Sequence, residues 1–369
     1  MKVLVLWADD RSPNLGVRVL GAGTEALARR VWPDAEFVFY NYGSGTAPVR
    51  LGSAKAVIAE AVTRRAGLGA WFAQFDVILD TRAGDSFADI YGLPRLAAMC
   101  ASTEVAARQG VPVVLSPQTI GPFESKVAGL LARRSLKTAS LVMARDSTSA
   151  DAAARLGRPV DVATTDVVFA LDVPEPESSL DVVLNVSGLL WQPGPHVDSA
   201  TYRATVAAVY DALVAAGRTV SLLAHVLPAP TSDDDAAAVA EFAATHAPEA
   251  EILRPTSLNH VRQLLAGASL VVGSRMHACL NALSVGTPAV PLAYSRKFAP
   301  LMADLGWSHV IDLRSDADSA PERLVELAGR AELRSEVVGL RERAYATLDR
   351  ATESLAALRP DARPANRAA

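Results

Sequence analysis

Short apolar runs rich in Val, Leu and Ile alternate with longer, Ala-rich stretches of helical periodicity along nearly the whole chain. A strand buried on both faces appears as a continuous apolar run, and repeated strand–helix–strand units produce parallel sheets covered by helices. The alternation therefore predicts an α/β fold with doubly wound parallel sheets. The predicted strands are Lys2–Trp7, Glu36–Tyr40, Val77–Leu79, Val111–Leu115, Leu141–Ala144, Val160–Ala163, Asp181–Val186, Thr219–Ala224, Glu251–Leu253, Ser269–Val272, Ala289–Leu292 and Val310–Asp312.

The alternation stops once, at Val173–Ser179, and then restarts. This segment contains two prolines, two acids and two serines, which is typical of a linker between domains. The sequence therefore predicts two Rossmann-like domains, residues 1–173 and 180–358, that face each other across a cleft. The second includes a long terminal helical region from Pro321 to Leu358. The Pro-, Ala- and Arg-rich tail 359–369 is predicted to be disordered.

The composition narrows the class of protein. A net charge of −4 gives no support for a nucleic-acid partner or an anionic membrane partner. The two cysteines, Cys100 and Cys279, lie in apolar helical contexts, so they are interpreted as core thiols rather than as a disulfide framework or a zinc site. No apolar run approaches the roughly 18 residues of a membrane span, and the apolar start is too short for a signal peptide. These features predict a soluble, cytoplasmic protein without a transmembrane segment.

Arg275 and His277 occupy the most informative position in the sequence. They follow the apolar run Ala268–Val272, and they precede a segment in which Met276, Leu280 and Leu283 share one helical face. Open α/β sheets bind ligands at this kind of strand-to-helix junction. An Arg at the electropositive start of a helix is unfavourable unless an anion binds there, and a His can transfer protons near neutral pH.

Two further cations share this placement. Arg145 follows the strand Leu141–Ala144, and Lys297 follows the strand that begins at Ala289. Each cation taken alone could be a solvated loop residue. Three cations at equivalent junctions, one of them beside His277, favour an anion site formed by Arg145, Arg275 and Lys297.

Several polar loops also follow predicted strands. They supply candidate ligand-contacting residues, although each loop could also be an ordinary rigid connection. The candidates for the acceptor site or the cleft are Asn14, Asp80, Asp85, Ser86 and Gln118. The run Asp233-Asp234-Asp235 resembles a metal cluster superficially, but it is interpreted as a solvated helix N-terminus. No metal site is predicted.

An ordered set of motifs gives the chain a family resemblance. The motifs are Gly84–Phe87, Gln118–Phe123, Arg145–Ser149, Gly273–His277, Gly286–Pro288 and Tyr294–Lys297. In this order they resemble the polysaccharide pyruvyl transferase family. The segment Asn14–Gly16 departs from the family pattern, because Val17 stands where an acidic residue is often found.

The resemblance implies a glycosyltransferase-B-like fold, with acceptor binding on the first domain and donor binding on the second. It implies phosphoenolpyruvate as donor and a pyruvate ketal on a saccharide or glycolipid as product. Arg145, Arg275 and Lys297 would bind the donor, and His277 would be the catalytic general acid. This chemistry requires neither a redox cofactor nor an obligatory metal. Two alternatives stay open, a nucleotide-sugar glycosyltransferase and a non-catalytic sugar or anion sensor.

Overall fold

The computed structural model describes residues 1–43, 45–229 and 233–358. Its internal contacts divide the chain into two compact units. The first unit contains Met1–Asp10, Leu20–Leu171 and the chain from Ala344 onward, and the second contains Arg11–Val19 and Asp172–Arg343. Each unit is built on one parallel six-stranded sheet. All twelve predicted strands are present, and their ends differ from the prediction by at most two residues.

The first sheet has the strand order β2-β1-β3-β4-β5-β6. Its strands are β1 Lys2–Leu6, β2 Glu36–Tyr40, β3 Val77–Asp80, β4 Val113–Leu115, β5 Leu141–Ala144 and β6 Val162–Ala163. The order reverses between β1 and β3, where Leu6 pairs with Asp80. The helices of this part of the chain are α1 Leu15–Arg29, α2 Ala54–Thr63, α3 Leu68–Phe72, α4 Leu93–Arg108, α5 Lys126–Thr138 and α6 Ser147–Arg155.

The second sheet has the order β12-β11-β10-β7-β8-β9, which is the Rossmann order. Its strands are β7 Leu180–Asn185, β8 Val220–Leu223, β9 Ile252–Leu253, β10 Ala268–Gly273, β11 Ala289–Ala293 and β12 Ile311–Asp312. Here the order reverses between β7 and β10, and their last residues, Asn185 and Gly273, are paired. The helices are α7 Gly188–Trp191, α8 Ser199–Ala215, α9 Asp235–Thr245, α10 Leu258–Ala266, α11 Met276–Ser284, α12 Phe298–Asp304, α13 Ala320–Ala328 and α14 Leu333–Ala357.

The residue chemistry accounts for these elements. Strands such as β1 consist of aliphatic residues that are buried on both faces, as a sheet covered by helices requires. Many of the helices begin at a Ser or Asp whose side chain accepts a hydrogen bond from a free N–H of the first turn, for example Ser125, Asp146, Asp198 and Ser257.

The terminal helical region is present as predicted, but part of it belongs to the other unit. It is two helices, α13 and α14, separated near Gly329. The contacts also assign residues 344–358 to the first unit, whereas the sequence places them in the second domain. This part of α14 buries Leu348 and Leu355, and the Thr164 hydroxyl donates to the carbonyl of Thr347 at 3.0 Å. The predicted disordered tail, 359–369, lies outside the described residues.

Candidate functional site

The turn between β10 and α11 is held by the neighbouring strand β7. Arg275 has an extended backbone immediately before the first helical residue, Met276, as the sequence predicts. Its backbone N–H donates to Asn185 Oδ1 at 3.0 Å, and the Asn185 amide donates to the carbonyl of Leu223 at 3.0 Å. Because β7 and β10 flank the point where the strand order reverses, this turn lies at the topological switch point of the second sheet, where ligands of such sheets bind.

The side chain of Arg275 is nearly buried and is paired with two carboxylates. Its Nε and Nη2 atoms lie 3.1 and 2.7 Å from Asp235 Oδ1, and Nη2 lies 2.7 Å from Asp233 Oδ1. Within the described part of the chain, no residue accepts a hydrogen bond from the remaining nitrogen, Nη1. The anion that compensates Arg275 is therefore supplied by the protein.

The structure corrects the interpretation of Asp235. The sequence assigned it to a solvated helix N-terminus, but it is completely buried. Besides Arg275, it accepts hydrogen bonds from the backbone N–H groups of Gly188 (2.7 Å), His225 (3.1 Å) and Val226 (3.0 Å). A buried carboxylate is stable only when such donors replace its lost hydration. In contrast, the preceding residue Asp234 is the N-cap of α9, as predicted.

The electrostatics favour a permanently charged Arg275. Burial opposes its positive charge, but the carboxylates of Asp235 and Asp233 outweigh that effect and raise the pKa of Arg275 above its ordinary value. The guanidinium therefore stays protonated throughout the physiological pH range.

The ring of His277 packs directly against the backbone of Gly16. The Gly16 N–H donates to Asn14 Oδ1 at 2.9 Å, which fixes the turn at the start of α1. A Cβ atom at Gly16 would lie only 2.8 Å from His277 Nδ1 and 3.1 Å from His277 Cγ. The imidazole can therefore occupy its present position only because residue 16 has no side chain.

A buried amide lies beneath His277. Asn281 Nδ2 donates to the carbonyl of His277 at 2.8 Å and lies 3.1 Å from Nε2 of His225. Arg262 donates to Asn281 Oδ1 at 3.1 Å, which fixes the orientation of the amide. Nε2 of His225 is therefore an acceptor. Burial, followed by the charges of His277 and Arg275, lowers the pKa of His225 well below its ordinary value, so this ring is neutral.

Lys297 immediately precedes α12, beyond the end of β11. Its ammonium lies 5.9 Å from the centre of the Tyr294 ring, and the edge of that ring packs on His196 at 5.1 Å between centroids. Burial lowers the pKa of His196, and the charges of Lys297 and Arg275 lower it further. The second unit thus gathers Arg275, His277 and Lys297 at the carboxyl ends of the adjacent strands β10 and β11.

Arg145 lies in the first unit at the end of β5 and is almost completely buried. Its Nη1 atom is 2.8 Å from Asp166 Oδ2, its Nε donates to the Thr119 hydroxyl at 3.0 Å, and its backbone N–H donates to the carbonyl of Gln118 at 3.1 Å. The side chain of Gln118 is also fully buried, and within the described residues neither of its amide atoms has a hydrogen-bond partner. The role predicted for Arg145 in donor binding stays a prediction.

Asp80 is part of a completely buried ion pair with Arg82, with 2.9 Å between Asp80 Oδ2 and Arg82 Nε. Arg82 also donates to the hydroxyls of Thr103 (2.6 Å) and Ser135 (2.7 Å). Burial raises the pKa of Asp80, although the charge of Arg82 partly opposes the shift. Arg82, Ala83 and Gly84 all have positive φ angles, which strains the two non-glycine residues. The ion pair therefore holds a strained loop in place.

The next residues of this loop, Asp85 and Ser86, contact an aromatic and cationic cluster. The Tyr91 hydroxyl donates to Asp85 Oδ2 at 2.7 Å, and Arg95 donates to the Ser86 hydroxyl at 3.3 Å. The Arg95 guanidinium also lies 4.8 Å from the centre of the Tyr42 ring. Aromatic faces beside carboxylate and hydroxyl groups can bind a sugar ring, so Asp85 and Ser86 remain acceptor candidates.

The predicted site residues therefore divide into two groups. Asn14, Arg275, His277 and Lys297 lie in the second unit, and Asp80, Asp85, Ser86, Gln118 and Arg145 lie in the first. Asn185, His225, Asp235 and Asn281 were not among the predicted site residues. Asn185 carried a readable signal, because it is a polar residue at the end of an apolar strand. Among the described residues, no three His, Cys, Asp or Glu side chains are grouped closely enough to hold a metal ion.

Comparison with known families identifies the chain. The sequence profile of the family described as polysaccharide pyruvyl transferase matches residues 14–296. The chain belongs to this family. A comparison with curated proteins finds none that matches. Across the described residues, no helix has the length and apolar character needed to cross a membrane.

Several solved structures have a similar fold at low sequence identity. The UDP-GlcNAc 2-epimerase from Neisseria meningitidis, bound to UDP-GlcNAc, has a TM-score of 0.60 at 10% identity, covering 96% of this chain and 99% of that chain. The Anabaena protein HepE, in complex with UDP and glucose, has a TM-score of 0.56 at 13% identity, covering 97% and 100%. MurG from Acinetobacter baumannii has a TM-score of 0.51 at 12% identity, covering 97% and 100%. At these identities the likeness shows the fold alone, which is that of glycosyltransferases of the B type with two Rossmann-like domains.

Proposed function

We propose that this protein transfers a pyruvyl group from phosphoenolpyruvate to two hydroxyls of a saccharide or glycolipid acceptor, forming a pyruvate ketal and releasing phosphate. The observation that carries the proposal is the grouping of Arg275, His277 and Lys297 at the strand ends of the second unit. Arg275 and His277 lie within the matched family region, and Lys297 is the residue that follows it. Phosphoenolpyruvate is made in the cytoplasm, so the proposal also places the enzyme there.

The charges of this site suit the proposed donor. Phosphoenolpyruvate carries a carboxylate and a phosphate. Asp235 and Asp233 already neutralise much of the charge of Arg275, so the guanidinium is held in one orientation with Nη1 available. A guanidinium and an ammonium can bind the two anionic groups separately, because Arg favours directed contacts and Lys acts as a point charge. In this proposal the second unit binds the donor and the first unit binds the acceptor.

The proposed reaction begins with a proton transfer. Protonated His277 gives its proton to the methylene carbon of the donor, which leaves the adjacent carbon electrophilic. A sugar hydroxyl adds to that carbon and gives its proton back to the His277 imidazole. The carbon–oxygen bond to phosphate then breaks. A second sugar hydroxyl adds in its place and gives its proton to the released phosphate, which closes the ketal. The positive charges of Arg275 and Lys297 stabilise the departing phosphate. No step in this scheme uses a redox cofactor or a metal.

A direct test measures phosphate release from phosphoenolpyruvate with a panel of saccharide and lipid-linked sugar acceptors. The expected result is acceptor-dependent release and a product heavier than the acceptor by one pyruvyl ketal in the mass spectrum. The variant His277→Gln provides the inactive control. Release of a nucleoside diphosphate from a sugar nucleotide, with no use of phosphoenolpyruvate, would assign the protein to the glycosyltransferases instead. Donor binding without turnover on any acceptor would indicate a sensor.

A further inference from the structure

The outward face of α5 combines positive charge with exposed apolar side chains. The helix Lys126–Thr138 carries four basic residues and no acidic residue, although the whole chain has a net charge of −4. Its exposed residues are Lys126, Val127, Leu130, Arg133, Arg134 and Lys137. Val127 and Leu130 expose 57% and 68% of their surfaces. A helix face that needed only water as its partner would gain nothing from these two aliphatic side chains.

A second apolar group lies beside the start of α5. Ile90, Tyr91 and Leu93 expose 57%, 40% and 39% of their surfaces. The preceding residue, Asp89, accepts hydrogen bonds from the backbone N–H groups of Glu124 (2.8 Å) and Ser125 (2.9 Å), which ties this loop to the beginning of α5. The first residue of α4 is Leu93, and α4 and α5 are joined further along by the ion pair between Glu104 and Arg134 at 2.7 Å.

These residues form one surface, which we name the α4–α5 patch. It consists of Ile90, Tyr91, Leu93, Lys126, Val127, Leu130, Arg133 and Lys137. The described residues include eleven large hydrophobic side chains that are exposed, and five of them lie in this patch. Scattered exposed apolar residues need no explanation, whereas a contiguous group marks an interaction surface.

We propose that the α4–α5 patch docks the protein on a lipid bilayer with anionic headgroups. The aliphatic and aromatic side chains would enter the boundary between headgroups and acyl chains, and the basic residues would lie among the anionic headgroups. Glu104 pairs with Arg134, so three cations of α5 remain to meet the membrane: Lys126, Arg133 and Lys137. The alternation of aliphatic and basic residues on one helix face favours a bilayer over nucleic acid, which has no acyl layer to receive Val127 and Leu130.

The patch is continuous with the loop that contains the acceptor candidates. The hydroxyl of Tyr91 donates to Asp85 Oδ2 at 2.7 Å, so a patch residue touches an acceptor candidate. Resting on the proposed function, this continuity indicates an acceptor sugar carried on a membrane lipid. Docking itself depends only on the patch, so it can be measured without any substrate.

Vesicle flotation with the full chain tests the proposal. Binding is expected to vesicles of phosphatidylcholine with 30% phosphatidylglycerol, at most weakly to pure phosphatidylcholine, and to fall in high salt because screening weakens surface charge attraction. One basic residue near an anionic surface is worth roughly fivefold in partitioning. The double variant Arg133→Gln/Lys137→Gln should therefore bind roughly 25-fold more weakly, and Leu130→Asp should lose at least tenfold. Matched controls are Arg65→Gln/Arg254→Gln and Val338→Asp, which change exposed residues elsewhere.

Unaltered thermal unfolding would show that the patch variants fold. Equal vesicle binding by the wild-type protein and all patch variants would overturn the proposal, and so would salt-independent binding to neutral vesicles. A dimer that dissociates in Leu130→Asp, without vesicle binding, would assign the patch to a second copy of the chain. Phosphate release with a water-soluble acceptor is measured separately. Patch-dependent docking without that activity would refute the proposed function alone, and activity without docking would refute the docking alone.

Discussion

Arg145 and Arg275 occupy equivalent positions in the two units, yet their surroundings differ. Each follows a buried strand, precedes a helix and pairs with a buried aspartate, Asp166 or Asp235. Arg275, however, follows one of the two strands that flank the reversal of strand order, and a partly exposed His277 is two residues away. Arg145 follows β5, which is removed from the reversal between β1 and β3. A buried arginine–aspartate pair thus lies at a strand end in each unit, and in the second unit a histidine lies beside it at the switch point.

The largest expected effect tests whether chemistry belongs to the second unit. His277→Gln should reduce kcat by about 10²–10⁴-fold, because an amide cannot supply a proton, while the KM for phosphoenolpyruvate changes far less. Thr148 is the second residue of α6, as His277 is the second residue of α11. Thr148→Ala should reduce kcat far less. Steady-state kinetics with saturating acceptor measures both. Near-normal turnover in His277→Gln would remove the general-acid role.

The next prediction compares the two buried aspartates. Asp235→Asn should lower the free energy of unfolding by about 3–5 kcal/mol, because it leaves Arg275 buried with a weaker partner. Asp166→Asn should have a smaller effect, since Asp235 also accepts from three backbone N–H groups outside its own helix. Denaturant unfolding of both variants measures which of them loses more free energy of unfolding. An equal or reversed order would mean that those backbone contacts add little.

Alanine substitutions at two glycines of α1 are expected to have different effects, one on catalysis and the other on stability. Gly16→Ala should displace the His277 ring and reduce kcat by about ten- to a hundredfold, because small misplacements of catalytic groups are costly. Gly21→Ala meets only ordinary contacts, with the nearest atom, Phe39 Cε1, at 3.5 Å. It should keep full activity and gain up to about 1 kcal/mol from helix propensity. Full activity in Gly16→Ala would show that the ring position does not matter.

The smallest predicted effect concerns acid stability. All six histidines lie between residues 172 and 343, in the second unit. The pKa of buried His225 is lowered in the folded protein, so below its unfolded pKa of about 6.5 the unfolded chain binds a proton that the folded chain does not. Stability should therefore fall as the pH drops below about 6.5, with a slope of up to about 1.4 kcal/mol per pH unit from this residue. His225→Gln should flatten that slope between pH 5 and 7. An unchanged slope would mean that another group controls acid unfolding.

The sequence was sufficient to predict where the strands and the strand-to-helix junctions lie. Buried parallel strands are continuous apolar runs, so all twelve could be located, and the positions of Arg145, Arg275 and Lys297 at junctions followed from them. The strand orders could not be predicted, because they depend on which strands pair and not on the composition of any one strand. The position of Arg275 beside the topological switch point therefore could not be predicted from the sequence.

The charge partners were missed for a related reason. Asp235 is separated from Arg275 by 40 positions, and its local sequence is that of a solvated helix start. Only the fold brings the backbone donors of Gly188 and Val226 to it. Similarly, the interpretation of Asp80 as an open cleft residue overlooked Arg82, two positions away, because the sequence does not show which side chains point inward. Local patterns identify elements, but they do not identify the partners of buried charges.

The final helix, α14, delays completion of the first unit during synthesis of the chain. The first unit lacks residues 344–358 until residues 172–343 of the second unit have been synthesised, because this segment follows them along the chain. Leu348, Ala351 and Leu355, all buried, are therefore added after the second unit. A nascent chain stopped at the predicted linker would therefore hold a first unit with an uncovered apolar face. Cutting the gene at Val173–Ser179 would divide both units, because residues 344–358 belong to the first unit and Arg11–Val19 belongs to the second.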